Sequence, residues 1–180
     1  NPSIKFLDNK KIRILGLRTY FDFDGSIIPS YKLKKKRQRI NKKLYFYYQI
    51  QFECDINIAE TNPNIASELS ALCDTLGIKS VIKKDRRNWS GLYGIRIYQL
   101  ESIIKFLELG GPLTNVKISS KSKRLQGITK KAVCNSTLNM LKRGIRKSYH
   151  FKDYSTAHSE KERLNAALIK ELVEEGKKVR

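Results

Sequence analysis

Two carboxylates stand one residue apart just before a glycine, in Asp22-Phe23-Asp24-Gly25, and these are the side chains of the sequence best placed to do chemistry. The residues before them carry apolar positions at three- and four-residue spacing, which predicts a helix over roughly residues 9–24. Asp8 is the expected N-cap, and Gly25 is the expected left-handed residue that closes the helix. Asp22 and Asp24 then fall in the last turn. There the helix dipole disfavours a carboxylate by roughly 0.3 to 1 kcal/mol, and free carbonyls point outward. A bound cation reverses that sign, because carboxylate and carbonyl oxygens together are the hard ligands that hold Mg²⁺. A calcium loop of the Asp-x-Asp-Gly type is disfavoured, since the continuation Ser26-Ile27-Ile28-Pro29 brings no further ligands.

The other reactive residue types offer less. Cys54, Cys73 and Cys134 are widely spaced within apolar patterns and form no Cys-x-x-Cys pair, which speaks against disulfides and structural zinc. His150 and His158 lie in a polar stretch without the geometry of a metal or catalytic site. The charge is more informative: 37 Lys and Arg against 17 Asp and Glu give a formal +20 over 180 residues. A compact fold carries such an excess most readily when it meets a polyanion, and nucleic acid is the commonest. No apolar run approaches the ~18 residues of a membrane span, and the first residues lack the apolar core of a signal peptide. The expectation is a soluble intracellular protein, of a prokaryotic cytoplasm or nucleoid or of an organelle, neither secreted nor membrane-bound.

A surface for a polyanion is legible in the strands. Leu44 to Ile58 alternates strictly: Leu44, Phe46, Tyr48, Ile50, Phe52, Cys54, Ile56 and Ile58 form a core face, while Tyr45, Tyr47, Gln49, Gln51, Glu53, Asp55 and Asn57 form a polar and aromatic one. A preceding strand, Ser26 to Lys34, aims Ser30, Lys32 and Lys34 the same way, and Lys32 to Lys43, which includes Arg37 and Arg39, reads as a basic turn. Gln side chains on such a face can read adenine edges in a major groove. Lys84, Arg86, Arg87 and Arg96 suit phosphates or guanine edges, with Tyr98 beside them.

The elements that must position these groups follow in order. After the two strands, Asn62-Pro63 starts a helix that runs to Leu76 before Gly77. Strands at Ser80 to Arg86 and Leu92 to Tyr98 follow, the latter with Tyr93, Ile95 and Ile97 on one face. A helix from Glu101 to Leu109 stops at Gly110-Gly111-Pro112. The pattern is an α+β fold, α-β-β-α-β-β-α, in which a four-stranded antiparallel sheet carries helices on one face. Residues 1–112 form this core domain. Residues 113–180 form a basic helical extension packed on it, with one or two helices near Thr129 and a last one started by the Ser159/Glu162 capping box.

Leu17 to Gly25, followed by this element order, resembles the LAGLIDADG homing endonucleases, metal-dependent enzymes that cut DNA at long sites. Leu17, Asp22, Asp24 and Gly25 agree with the family signature, while Arg18 and Thr19 replace its small pair of residues. The resemblance implies that Asp24, with the Phe23 carbonyl, holds Mg²⁺ or Mn²⁺, and that Ca²⁺ fills the site without supporting cleavage. It also implies a basic and a water-ordering residue beside the metal, by position Lys117 or Lys121 and Thr61 or Asn62. Asp22 is expected to bond backbone. No second Asp-x-Asp-Gly occurs in the sequence, so the resemblance implies a homodimer through Gly16, Leu17, Thr19 and Tyr20 and a pseudo-palindromic double-stranded DNA site. Two alternatives stay open: an intron-RNA splicing cofactor of this fold, and a non-catalytic DNA-binding regulator.

Overall fold

The computed structural model describes residues 9–118, 125–144 and 148–178, over which five helices accompany a five-stranded antiparallel sheet. The first helix, α1 (Lys10–Asp24), is capped by Asn9, whose side chain accepts from the Lys11 N–H at 2.8 Å. Asp8, the expected cap, lies outside the described residues. At the other end Gly25 is not left-handed: its φ of −83° and ψ of 148° are extended, and the helix passes straight into a strand. Glycine is needed there for space, because a Cβ would come within 2.2 Å of the Phe21 ring and 2.3 Å of its carbonyl oxygen.

That strand, β1 (Gly25–Ile40), pairs along its whole length with β2 (Lys43–Ala59), from Gly25 opposite Ile58 to Ile40 opposite Lys43. The basic turn expected over Lys32 to Lys43 is therefore strand for most of its length. Its lysines find cross-strand aromatic partners, as where the Lys35 ammonium lies 4.4 Å above the Phe46 ring. The true turn is Asn41-Lys42, with φ of 48° and 64°, the double left-handed geometry that matches hairpin twist. Alternation works as expected along β2: Ile50, Phe52, Cys54, Ile56 and Ile58 are buried. Leu44 and Phe46 are exposed at the hairpin tip.

Asn62 caps α2 (Pro63–Thr75), accepting from the Asn64 N–H at 3.0 Å. Strand β4 (Leu92–Ile97) lies between β2 and β3 (Val81–Lys84), so the sheet order is β1-β2-β4-β3. Tyr93 does not share the core face of Ile95 and Ile97. The register steps from Lys83 opposite Gly94 to Lys84 opposite Leu92, leaving Tyr93 without a partner on β3 and exposed in a bulge, while its carbonyl accepts from the Glu60 N–H at 3.0 Å. Gly94 makes this turn at a φ of 135°, where a Cβ would meet the Ile58 carbonyl at 2.0 Å.

Helix α3 (Leu100–Glu108) follows, then α4 (Lys130–Lys142), capped by the Thr129 hydroxyl accepting from the Ala132 N–H at 3.1 Å. The sheet is not limited to four strands: a short β5 (Tyr149–Phe151) adds to β2. Helix α5 (Tyr154–Lys178) begins five residues before Ser159, which with Glu162 lies inside the helix; at its start the Asp153 carboxylate accepts from the Thr156 N–H at 2.8 Å. Helices α4 and α5 pack on each other and on β1, and Val133, Met140, Leu168 and Leu172 share one continuous core with Leu17, Ile56 and Phe106. Asn165 of α5 accepts from the Tyr31 N–H at 2.9 Å and donates to its carbonyl at 3.1 Å, which covers the outer edge of β1 there.

Candidate functional site

The end of α1 separates its two carboxylates by what surrounds them. Asp22 is 6% exposed and accepts from the Leu113 N–H at 3.1 Å, the Thr114 N–H at 3.0 Å and the Thr114 hydroxyl at 3.0 Å. It is a helix-end carboxylate consumed by the loop after α3, as expected. Asp24 is exposed on the final turn, next to Phe23, which is 79% exposed.

Beneath them lies a group that the sequence reading passed over. The Lys130 ammonium, from the first turn of α4, donates to the Phe21 carbonyl at 3.0 Å and the Asp22 carbonyl at 2.7 Å. Its side chain is buried and its Nζ lies 5.5 Å from the Phe21 ring centre. Burial pushes the Lys130 pKa down, against the opposing pull of Asp22 and Asp24. A cation thus sits on two of the carbonyls that the helix dipole leaves negative. The sequence did carry a signal: Lys130, Val133, Cys134, Thr137 and Leu141 recur at helical spacing, a lysine on an otherwise buried stripe.

Four residues are expected beside Asp24. Lys117 is exposed, on a bridge to Thr129, and Lys121 is outside the described residues. Thr61 is exposed between β2 and α2, and Asn62 is engaged as the α2 cap. What lines the sheet beside Gly25 is Asn57, opposite Ser26 on β1 and Arg96 on β4. Asn57 is 7% exposed, and its Oδ1 has no hydrogen-bond partner. This buried acceptor next to the motif end is a polar residue that the strand's alternation put on the correct face without giving it a role.

From there the polar face runs outward along the hairpin. Register places Ser30 opposite Glu53, Lys32 opposite Gln51, Lys34 opposite Gln49 and Lys36 opposite Tyr47, with Tyr45 opposite Gln38. Arg37 and Arg39, expected in a turn, are strand residues that alternate onto the face opposite Lys32 and Lys34. Charges along this face are paired: nearer the motif Arg96 donates to both Asp55 oxygens at 2.8 Å, and further out Lys34 pairs with Glu53. Arg87 is folded onto Asp85, at 3.0 and 2.7 Å, and that contact lowers the Asp85 pKa to about 2. Lys84 and Arg86 are exposed at and just past the end of β3. Several rings of the surface already carry cations, with Lys83 over Tyr93 at 4.2 Å and Arg96 over Tyr98 at 5.5 Å.

A second surface lies along α1. Ile12, Leu15, Gly16, Thr19 and Phe23 recur at three- and four-residue spacing, and Ile12 is 48% and Leu15 50% exposed. Leu17, expected in a dimer contact, is 1% exposed in the core of its own chain. Tyr20 packs against that core, and burial beside Glu60 and Glu68 raises its pKa. Arg18 turns away from the stripe: its guanidinium donates to the Gly111 carbonyl at 2.9 Å and the Pro112 carbonyl at 3.0 Å. The Thr19 hydroxyl folds back onto the Leu15 carbonyl at 2.9 Å. Neither departure from the small-residue pair therefore projects a charge or a long side chain from this face.

Among the described residues no three His, Cys, Asp or Glu side chains gather into a metal cluster. The donor set at the α1 end, one exposed carboxylate and helix-end carbonyls, suits Mg²⁺, which keeps several waters and is held by one or two carboxylates plus substrate phosphates. No described helix is long and apolar enough to cross a membrane. In comparison with known proteins, the family model described as LAGLIDADG-like domain matches residues 13–111. No curated protein and no solved structure matches the chain.

Proposed function

Because the chain belongs to the LAGLIDADG-like family, we propose that it is a site-specific DNA endonuclease that hydrolyses phosphodiester bonds with a divalent metal. The observation that carries this reading is Asp24, an exposed carboxylate at the point where α1 runs into the polar face of the sheet. A duplex lying on that face brings its backbone to the helix end. Asp24 and the Phe23 carbonyl would hold Mg²⁺ or Mn²⁺ there, and such an ion would supply an activated water and neutralise charge on the phosphate and leaving oxygen.

The chain's own residues do the rest. Asp22, locked by Leu113 and Thr114, and Lys130, bonded to the Phe21 and Asp22 carbonyls, fix the last turn of α1 so that Asp24 keeps one position. Lysines and glutamines of the hairpin dock the phosphates and base edges. A second copy packed on the Ile12, Leu15, Thr19 and Phe23 stripe would bring two Asp24 side chains together and read a pseudo-palindrome.

The test is cleavage of a randomised duplex pool under Mg²⁺, with the wild type and Asp24→Asn. Wild-type cutting that falls at least about a hundredfold in the variant is the expected result, since loss of a metal ligand removes several kcal/mol of transition-state stabilisation. Binding without cutting under Mg²⁺ and Mn²⁺ refutes the nuclease reading. Cutting that survives the substitution refutes the site.

A further inference from the structure

Strand β5 lies outside the family-matched residues 13–111, yet it enters the same sheet. It pairs with β2 at Tyr48, Gln49 and Ile50, on the edge that β4 leaves open because β4 reaches only Ile56 to Ala59. The sheet is thereby widened at the end far from Asp24. Alternation divides the three residues of β5. Tyr149 and Phe151 pack against the core, and His150, opposite Gln49, is exposed on the polar face.

Two contacts fix the polar groups at that point. The His150 and Tyr47 rings stack at 5.4 Å between centres and 9° between planes. Ser148, just before β5, bonds the Gln49 amide nitrogen at 3.0 Å. Rings stacked on each other and standing off a sheet offer their edges outward, so the imidazole nitrogens and the phenol hydroxyl face whatever lies on the surface. Gln49 donates its amide nitrogen to the Ser148 hydroxyl, which leaves its oxygen as the acceptor of the amide. The acidic group nearest along this face, Glu53, is paired with Lys34 and so does not claim the imidazole. Side chains already ordered by neighbours bind with a smaller entropy loss, which makes this patch a rigid reading element.

We infer that β5 makes the segment after α4 a base-reading part of the surface, with His150 as a specificity-determining residue for duplex DNA and Gln49, aimed by Ser148, as its companion. This rests on the duplex-cutting reading above. It also gives a place in the site. Gln49 lies nine residues along β2 from Ile58, the partner of Gly25, which is roughly 30 Å at strand rise and so about nine base pairs from the cleaved phosphate.

The test selects bound sequences from a randomised duplex pool with the wild type, His150→Phe and Ser148→Ala. Phenylalanine keeps a stacked ring and removes the nitrogens, and circular dichroism checks that each exposed-site variant folds. The expected result is that preference at one base pair of each half-site, about nine pairs from the cut, falls roughly tenfold while other positions keep theirs. Ser148→Ala should relax the same or the adjoining position. An unchanged preference at every position, or an equal loss at all of them, overturns the inference and leaves the endonuclease reading intact. A wild type that enriches no sequence and cuts no duplex removes that reading, and this inference with it.

Discussion

Replacing Lys130 with methionine removes the ammonium and keeps most of the volume of the stem. In the native protein that ammonium satisfies the Phe21 and Asp22 carbonyls at 3.0 and 2.7 Å in a buried setting. The Phe21 carbonyl keeps the Gly25 N–H, but the Asp22 carbonyl loses its donor, which costs about 1 to 3 kcal/mol. Against this, the variant no longer buries a charge, which returns part of the loss. The net expectation is a destabilisation of about 1 to 2 kcal/mol, or a fall in Tm of about 2 to 8 °C at this chain length. Urea unfolding followed by circular dichroism measures it, with an unchanged m-value expected if only native-state contacts are lost. Titration adds a second signature. Burial lowers the Lys130 pKa from its ordinary 10.5, so between the folded value and 10.5 the unfolded chain binds more protons than the native one. The stability advantage of the wild type over the methionine variant should therefore grow with pH through the window just below 10.5, even though the buried cysteines, with their raised thiol pKa values, lower the stability of both proteins there. Metal-dependent cutting should drop more than DNA affinity, because what is loosened is the turn that carries Asp24. A variant as stable as the wild type, with the same pH dependence, would refute the view that this ammonium closes the helix.

Two other perturbations test the frame. Lys42→Gly relieves a left-handed non-glycine residue in the Asn41-Lys42 turn and should raise stability by about 0.5 to 1 kcal/mol; a lower Tm in calorimetry would count against the double left-handed turn. Burial pushes the Cys73 and Cys134 thiols up to about 12 and Cys54 higher still, so at pH 8 all three should ignore Ellman's reagent in the native protein and react in denaturant; rapid labelling of the native chain would contradict the packing.

The parts of the fold that depend on near neighbours in sequence were legible. The β2 faces follow a two-residue period, so Ile50 to Ile58 are buried at even positions as expected. The Asn62 and Thr129 caps act within three residues of themselves. Features set by remote contacts were not. Gly25 looks like a helix-ending glycine, yet the crowding that requires it comes from Phe21 as the chain goes straight into β1. The lysine-rich arm looked like a turn because its partners, Tyr45 to Tyr48, only become neighbours once the hairpin has formed. Strand β5 has three residues and no period of its own, and exists because β2 offers an open edge.

The site divides in the same way. That Asp22 and Asp24 end a helix could be read directly, because helix period and the following glycine are local. Which of the two is available for a ligand depends on Leu113 and Thr114, about ninety residues later, and on Lys130, later still. These distant groups decide the outcome electrostatically. Three donors consume the Asp22 carboxylate, and one ammonium holds the carbonyls of Phe21 and Asp22, so the negative end of α1 is already partly compensated. Asp24 is the carboxylate left facing solvent at the start of the polar face. A divalent ion at that end would compete with water for Asp24 and not with the protein's own donors for Asp22. That is why a single substitution at Asp24 should abolish metal-dependent cutting with little loss of stability, whereas a substitution at Asp22 should unfasten the loop after α3 first.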